Sequence, residues 1–258
     1  TTALSQLKPP QNPQNPQISN IMCHVKGTDC VVHAMDDSSC KFSCIQMNRL
    51  QFTTPTAVRI VEGRPTYTGQ SILQLRYVNW LKRKNSILTR SALECRLYTA
   101  DTQKQVVESA HNTYISADDS STSYTTPSPY VPEIVVVHKS GNMLLWDAET
   151  SKIIQTYKHN DNSNENKTYM AEYMKHPRCL WSVRLGDQHV EMIDMRSNVK
   201  DSKTIVNTTN IIGCGNKTFE GMGGTMENIT ALHNDTTSSF QCIVGSKNRI
   251  VLFDTRYT

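Results

Sequence analysis

The chain has 258 residues, 37% of them hydrophobic and 19% charged, which is enough apolar material for a sizeable core surrounded by long polar connections. Its formal charge of +4 is too small an excess to require nucleic acid, and no apolar run approaches the roughly 20 residues that cross a bilayer. A membrane-spanning helix and a strongly basic tail are therefore outside what this composition describes. Thr1 stands where a Met, a secretory core or an Arg-rich lead would begin a complete chain, so a longer parent protein is expected.

Residues 1–18, "TTALSQLKPPQNPQNPQI", hold Pro, Gln and Asn with little to bury and read as a flexible lead-in. Short strand-like runs follow at "IMCHV", "CVVHAM" and "FSCIQM". They bring Cys23, His24, Cys30, His33, Cys40 and Cys44 close together in sequence. Zinc would need four of these side chains to converge tetrahedrally, and adjacent Cys23 and His24 point to opposite faces of a strand, so no metal is expected.

The next runs are "SILQLRYV", "SILTR" and "ECRLYTA". Between the first two, Lys82-Arg83-Lys84 follows Trp80 and reads as a loop tip from which long cations reach phosphates or a partner. The plain alternative is a solvated turn, with Trp80 packed inward. Residues 101–132 are rich in Ser, Thr and Pro and read as a surface insertion. Asp118-Asp119 within it read as solvated charge.

"EIVVVHKSGNMLLWDAETSKII" carries the most structure per residue. Ile134 to Val137 are apolar without alternation, as suits a strand covered on both faces. Ser140-Gly141 supplies a hairpin centre, Met143 to Trp146 returns antiparallel, and Asp147 to Thr150 turn the chain into Ile153-Ile154. After an Asn-rich excursion at 158–168, "RCLWSV" and "EMIDMRS" repeat the strand-turn-strand pattern. A second excursion covers 197–226 and includes the Gly-rich "GCGNKTFEGMGG". It lacks the third Gly and the strand-helix flanks of a phosphate cradle and reads as a loop. "QCIVG" and "VLFDTRY" close the chain.

Asp147, Asp194 and Asp254 each follow an apolar pair, at spacings of 47 and 60 residues. These exceed the usual WD period of about 40 to 45, with the surplus in the polar excursions. "ILTRSALECRLYTA" is a degenerate member, Arg96-Leu97-Tyr98 standing in for Leu-Trp-Asp. The expected fold is thus all-β, a WD40-like β-propeller over 19–258, partial or degenerate within this chain, with four or five units and long polar loop insertions. Trp146, Asp147, Asp194, Arg196, Asp254 and Arg256 are read as blade scaffold, the Trp filling space between sheets and the Asp organising turns.

Eight cysteines are spread along the chain, several in apolar strand contexts where a thiol acts as a small hydrophobe. Asn-X-Thr sequons stand at Asn166, Asn207, Asn216, Asn228 and Asn234, inside segments generally rich in Asn and Thr. A reduced, intracellular chain is expected over a secreted glycoprotein. Serine-hydrolase elbows, phosphate loops and zinc-protease helices are absent from the sequence, so neither catalytic residues nor a cofactor nor a small-molecule substrate are expected.

The order of four segments resembles the propeller region of the Rrn6-like family, initiation-factor subunits specific to RNA polymerase I that in animals are counted among the TATA-binding-protein-associated factors. These segments are "SILQLRYV…SILTRSALECRLYTA", "SPYVPEIVVVHKSGNMLLWDAET", "HPRCLWSVRLGDQHVEMIDMRS" and "ITALHNDTTSSFQCIVGSKNRIVLFDTRY". The likeness rests on His176-Pro-Arg178, on Asp-x-Arg at Asp194/Arg196 and Asp254/Arg256, on Tyr257, and on the Pro-containing approach to "SGNMLLWD". It covers about residues 66 to 258. It implies a non-enzymatic scaffold of a promoter-bound core factor in the nucleus and nucleolus. Its partners would be the companion subunits, RNA polymerase I and TATA-binding protein, with at most phosphate-type contact to promoter DNA, for which Lys82, Arg83 and Lys84 are candidates. A generic WD40-repeat adaptor in another intracellular assembly is the alternative.

Overall fold

The computed structural model describes residues 18–26, 28, 30–35, 39–47, 58–63, 66–80, 83–101, 104, 106–116, 121–157, 168–184, 190–196, 229–234, 241–246 and 250–254. Every element among them is a strand, and every pairing is antiparallel. The chain divides into two compact units, 1–115 and 116–258.

Among its described residues, unit 1 holds two sheets. The first runs β1 (Ile18–Val25), β2 (Cys30–Met35), β3 (Ser39–Met47), β4 (Val58–Glu62), with β5 (Thr66–Tyr67) also on β3. The second runs β6 (Gln74–Trp80), β7 (Arg83–Arg90), β8 (Glu94–Asp101), β9 (Val106–Ile115). They pack through Val25, Val32, Ala34 and Cys40 on one side and Leu75, Ile87 and Tyr98 on the other. The Thr66 hydroxyl also donates to the Val107 carbonyl at 2.5 Å.

Among its described residues, unit 2 holds three sheets. The third sheet is β10 (Thr122–Pro127), β11 (Glu133–His138), β12 (Met143–Asp147), β13 (Lys152–Tyr157). The fourth is β14 (Thr168–Tyr173), β15 (Cys179–Arg184), β16 (Val190–Asp194), and the fifth β17 (Ile229–Asn234), β18 (Gln241–Ser246), β19 (Ile250–Asp254). The fourth sheet is covered on both faces, which explains why Leu180, Trp181 and Val183 of β15 are all buried. Leu180 joins Val135, Leu145 and Tyr173 in the core against the third sheet. Trp181 and Val183 point the other way, to Leu232, Cys242 and Val244 of the fifth. Successive strand residues alternate faces, so a strand between two sheets carries apolar side chains toward both. Each fully buried Leu or Val contributes about 1.5–3 kcal/mol over an exposed one.

The third sheet follows the hairpin pattern read from sequence. Ile134 to Val137 are fully buried, and Gly141 takes φ +87°, a left-handed conformation that a Cβ would strain. Its N–H donates to the His138 carbonyl at 2.9 Å. At the outer strand Ile153 and Ile154 are half exposed, because β13 pairs only with β12 among the described residues.

The insertion expected at 101–132 is corrected. Residues 106–115 form β9, the outer strand of the second sheet, and 122–127 form β10, the first strand of the third. Their Ser and Thr content misled the reading. Thr122, Thr125 and Thr126 are buried, and a β-branched Thr suits a strand whenever its hydroxyl finds a partner. The expected excursions at 158–168 and 197–226 lie outside the described residues, except that Thr168 opens β14. Of the lead-in 1–18, only Ile18, the first residue of β1, is described.

Candidate functional site

The residues that organise this molecule sit where strands end. Asp147, last in β12, accepts the Glu149 and Thr150 N–H groups on Oδ1 at 2.8 and 3.2 Å and the Thr150 hydroxyl on Oδ2 at 2.7 Å. One carboxylate thereby closes the turn into β13, where Ser151 takes φ 57°. Asp194, last in β16, accepts the Arg196 N–H on Oδ1 at 2.9 Å and a forked pair from its guanidinium, Nη2 reaching Oδ2 at 2.6 Å. Those bonds hold the Asp194 carboxyl down at about 2.

The second sheet carries a member of this set that the sequence reading missed. Asp101, last in β8, accepts the Lys104 N–H at 3.0 Å, and Lys104 Nζ lies 3.1 Å from its other oxygen. The blade-ending acid is therefore Asp101. Arg96-Leu97-Tyr98, expected in that role, lies mid-strand, with Leu97 and Tyr98 buried. The signal is the Asp immediately after "RLYTA", which by composition opens the Ser- and Thr-rich stretch. Asp254 ends β19, its side chain outside what is described, and Arg256 lies outside the described residues.

Trp146 is fully buried. Trp181, which stands one sheet further on and was not singled out from sequence, is fully buried as well.

Polar ties join the sheets inside each unit. Glu172 on β14 is buried and accepts the Tyr124 phenol at 2.8 Å and the Thr126 hydroxyl at 2.7 Å, both from β10. Arg178, in the turn before β15, pairs with Glu133 of β11 at 2.8 Å. The Tyr130 phenol donates to the Lys175 carbonyl. Burial pushes the Tyr157 phenol up to about 12, so it remains a donor to the Met195 carbonyl, at 2.6 Å, through the neutral range.

Among the described residues of unit 1, a shallow opening whose void, solvent included, is about 190 Å³ is a cleft to weigh as a ligand site. Gln70, Ser91, Glu94 and Arg96 line it and are occupied with one another. Gln70 Nε2 donates to Glu94 at 3.0 Å, Ser91 donates to Gln70 Oε1 at 2.8 Å, and Arg96 reaches Glu94 at 2.6 Å and the Thr68 carbonyl at 2.9 Å. Such mutual pairing makes a strut between the 66–73 segment and β8, with its hydrogen-bonding groups turned to each other.

His24 Nε2 lies 2.7 Å from the Thr28 carbonyl, while His33 Nδ1 lies 3.4 Å from the Ser43 hydroxyl. Among the described residues no three His, Cys, Asp or Glu side chains converge as a metal ion requires. Burial pushes the Cys23 and Cys40 thiols up to about 12. Cys23, Cys40, Cys95, Cys179 and Cys242 are free. Cys30, expected as a thiol, is instead disulfide-bonded. The sequence reading weighed each cysteine by its apolar neighbours along the chain, whereas bridging depends on what faces it across a strand pair.

Of the basic cluster, Lys82 lies outside the described residues, and Arg83 and Lys84 open β7, with Arg83 opposite Trp80. Trp80 itself is buried. The backbone thus places Arg83 and Lys84 at the start of β7. The Gly-rich loop 213–224 and Asp118-Asp119 lie outside the described residues. So do the sequons other than Asn234, whose backbone ends β17.

No family model matches the sequence, and no curated protein matches it. Solved structures do match. Two chains, from "COPII on membranes, outer coat vertex" and "The structure of the COPII coat assembled on membranes", each align with TM-score 0.63 at 11% identity over 93% of this chain. The chain spans 59% of the first and 33% of the second. At that identity the likeness speaks for the fold, and with the succession of small antiparallel sheets it makes the fold a WD40-like β-propeller.

Proposed function

We propose that this chain is a non-enzymatic scaffold subunit of a multiprotein assembly. The observation that carries the reading is how its chemistry-bearing side chains are used. Asp101, Asp147 and Asp194 close turns, while Glu172, Glu133 and Arg178 tie sheets together. Acids and cations spent on rigidity suit a platform whose loops and rims meet partners.

The assembly favoured is the promoter-bound core factor of RNA polymerase I in the nucleolus, with TATA-binding protein and the polymerase among its partners. Its support is the ordered sequence likeness to the Rrn6-like family. A second reading is an adaptor in a different assembly. It is favoured by the structural neighbours, which come from the COPII coat assembled on membranes and share the fold.

Affinity purification of the tagged protein from its own cells separates these readings. Copurification of polymerase I subunits and TATA-binding protein is the expected result, and a different stable set of partners would move the chain to the second reading. A protein that purifies alone at every salt concentration would remove both.

A further inference from the structure

Two buried polar atoms of unit 2 are left over once its sheet ties are drawn. Tyr173 is 3% exposed, and its phenol oxygen, Oη, is buried with no hydrogen-bonding partner among the described residues. Glu133 gives one carboxylate oxygen, Oε1, to Arg178 at 2.8 Å, and its other, Oε2, is likewise buried and unbonded among them. The first is a donor and the second an acceptor. Folded proteins satisfy nearly all such groups, because each one stranded away from water weakens the fold.

Both atoms belong to one place, the seam between the third and fourth sheets. Tyr173 ends β14 opposite Leu180, and the next residue, Met174, donates its N–H to the Cys179 carbonyl at 2.9 Å. Tyr173 therefore stands beside the turn that carries Arg178. Arg178 reaches back to Glu133 of β11, and its carbonyl accepts the Met195 N–H at 2.8 Å. Tyr157 of β13 completes the ring of contacts, donating its phenol to the Met195 carbonyl at 2.6 Å. Tyr157, Tyr173, Met195, Leu180 and Val135 share one buried cluster. Burial pushes the Tyr173 phenol pKa up, with the Glu133 carboxylate adding to the rise and Arg178 opposing it, so the phenol keeps its proton to donate.

We infer that this seam binds a single buried water molecule, which accepts a hydrogen bond from Tyr173 Oη and donates one to Glu133 Oε2. The two groups select the ligand by their chemistry, since it must accept from a phenol and donate to a carboxylate at once. A metal cation does neither, a halide only accepts, and an ammonium ion only donates. An alcohol or an amide does both but brings carbon into a cluster already filled by Val135, Leu180 and two tyrosine rings. Water has both functions in one heavy atom. Its second proton goes to Tyr157 Oη, which has spent its own on Met195 and still has lone pairs. Three bonds are the usual complement of a buried water. The molecule thereby ties β14 to β11 and β13 across the seam.

The test is a crystal structure of the whole chain at a resolution that shows ordered water. The expected result is one water within about 2.5–3.0 Å of both Tyr173 Oη and Glu133 Oε2. A direct hydrogen bond between those two atoms would overturn the inference. So would either atom bonded to another protein group instead, or a seam without density between them. In solution, oxygen-17 magnetic relaxation dispersion counts the waters a protein holds in its interior. Tyr173→Phe removes the donor from which this water accepts, so the count should fall by one, and an unchanged count in the folded variant contradicts the site. The crystallographic measurement uses the wild-type chain and requires no variant to fold.

Discussion

Single side chains here do one of two jobs, filling the buried core or closing turns. Trp146 does the first. It has no exposed surface, and Trp146→Ala should cost about 3–5 kcal/mol through the lost contacts and the cavity left behind. A thermal melt of the purified variant checks this, since a melting temperature equal to the parent's contradicts the buried role. Asp194 does the second. Its carboxyl is held at about 2 in the folded chain, chiefly by the hydrogen bond from Arg196, against about 3.9 when unfolded. A depressed acid pKa contributes stability that is complete above the unfolded value and fades as pH falls through the folded one. The contribution is therefore present at pH 5 and above and is lost progressively from about pH 4 down through pH 2. An NMR titration of the Asp194 carboxyl should show this low midpoint, and Arg196→Ala should raise it toward the ordinary range. A midpoint unmoved by that substitution would detach the shift from the pair.

At the scale of elements, sheets are joined by buried polar groups as well as by apolar faces. Glu172 gives β14 two acceptor oxygens for two hydroxyls of β10, and Thr126 is almost wholly buried. Removing the carboxylate strands both donors, and each buried group left unsatisfied costs about 1–3 kcal/mol. Glu172→Ala should then destabilise the chain by about 2–4 kcal/mol, and Glu172→Gln, which retains one acceptor, by less. Urea unfolding midpoints at unchanged slope measure the difference, and equal losses for the two variants would argue that shape, not acceptance, matters there. Much of this level could be read from the sequence, including the β11–β12 hairpin from its apolar run and Ser140-Gly141. The strands β9 and β10 could not. Their Ser, Thr and Pro resemble a loop by composition, and only neighbouring strands decide whether a threonine hydroxyl meets water or a partner.

For the whole molecule, the fold persists among proteins that share 11% of their residues with it, which makes surface chemistry rather than architecture the source of specificity. The prediction at this scale concerns the β6–β7 hairpin. If the chain works within a promoter-bound factor, reversing Lys82, Arg83 and Lys84 to Glu should weaken promoter binding by the assembled complex. It should also flatten the salt dependence of that binding, because fewer counterions are released on contact. Promoter affinity across a salt series, read beside subunit retention on a sizing column, distinguishes the outcomes. An unchanged slope with an intact complex leaves the cluster as a solvated turn, and loss of a companion subunit makes it a protein contact.

The amino-acid sequence by itself determined the all-β class, the third sheet almost strand for strand, and the turn acids Asp147 and Asp194. Each of these depends on residues within a few positions of one another: alternating or continuous apolar runs, a glycine at a left-handed turn, a carboxylate within reach of the next two N–H groups. Tertiary structure alone decided matters that depend on residues far apart in the chain. It gave Trp181 a neighbouring sheet to fill, and it brought Glu172 to two hydroxyls more than forty residues earlier. It also set Cys30 opposite Cys44, for pairing register is a property of two strands and is written in neither one alone.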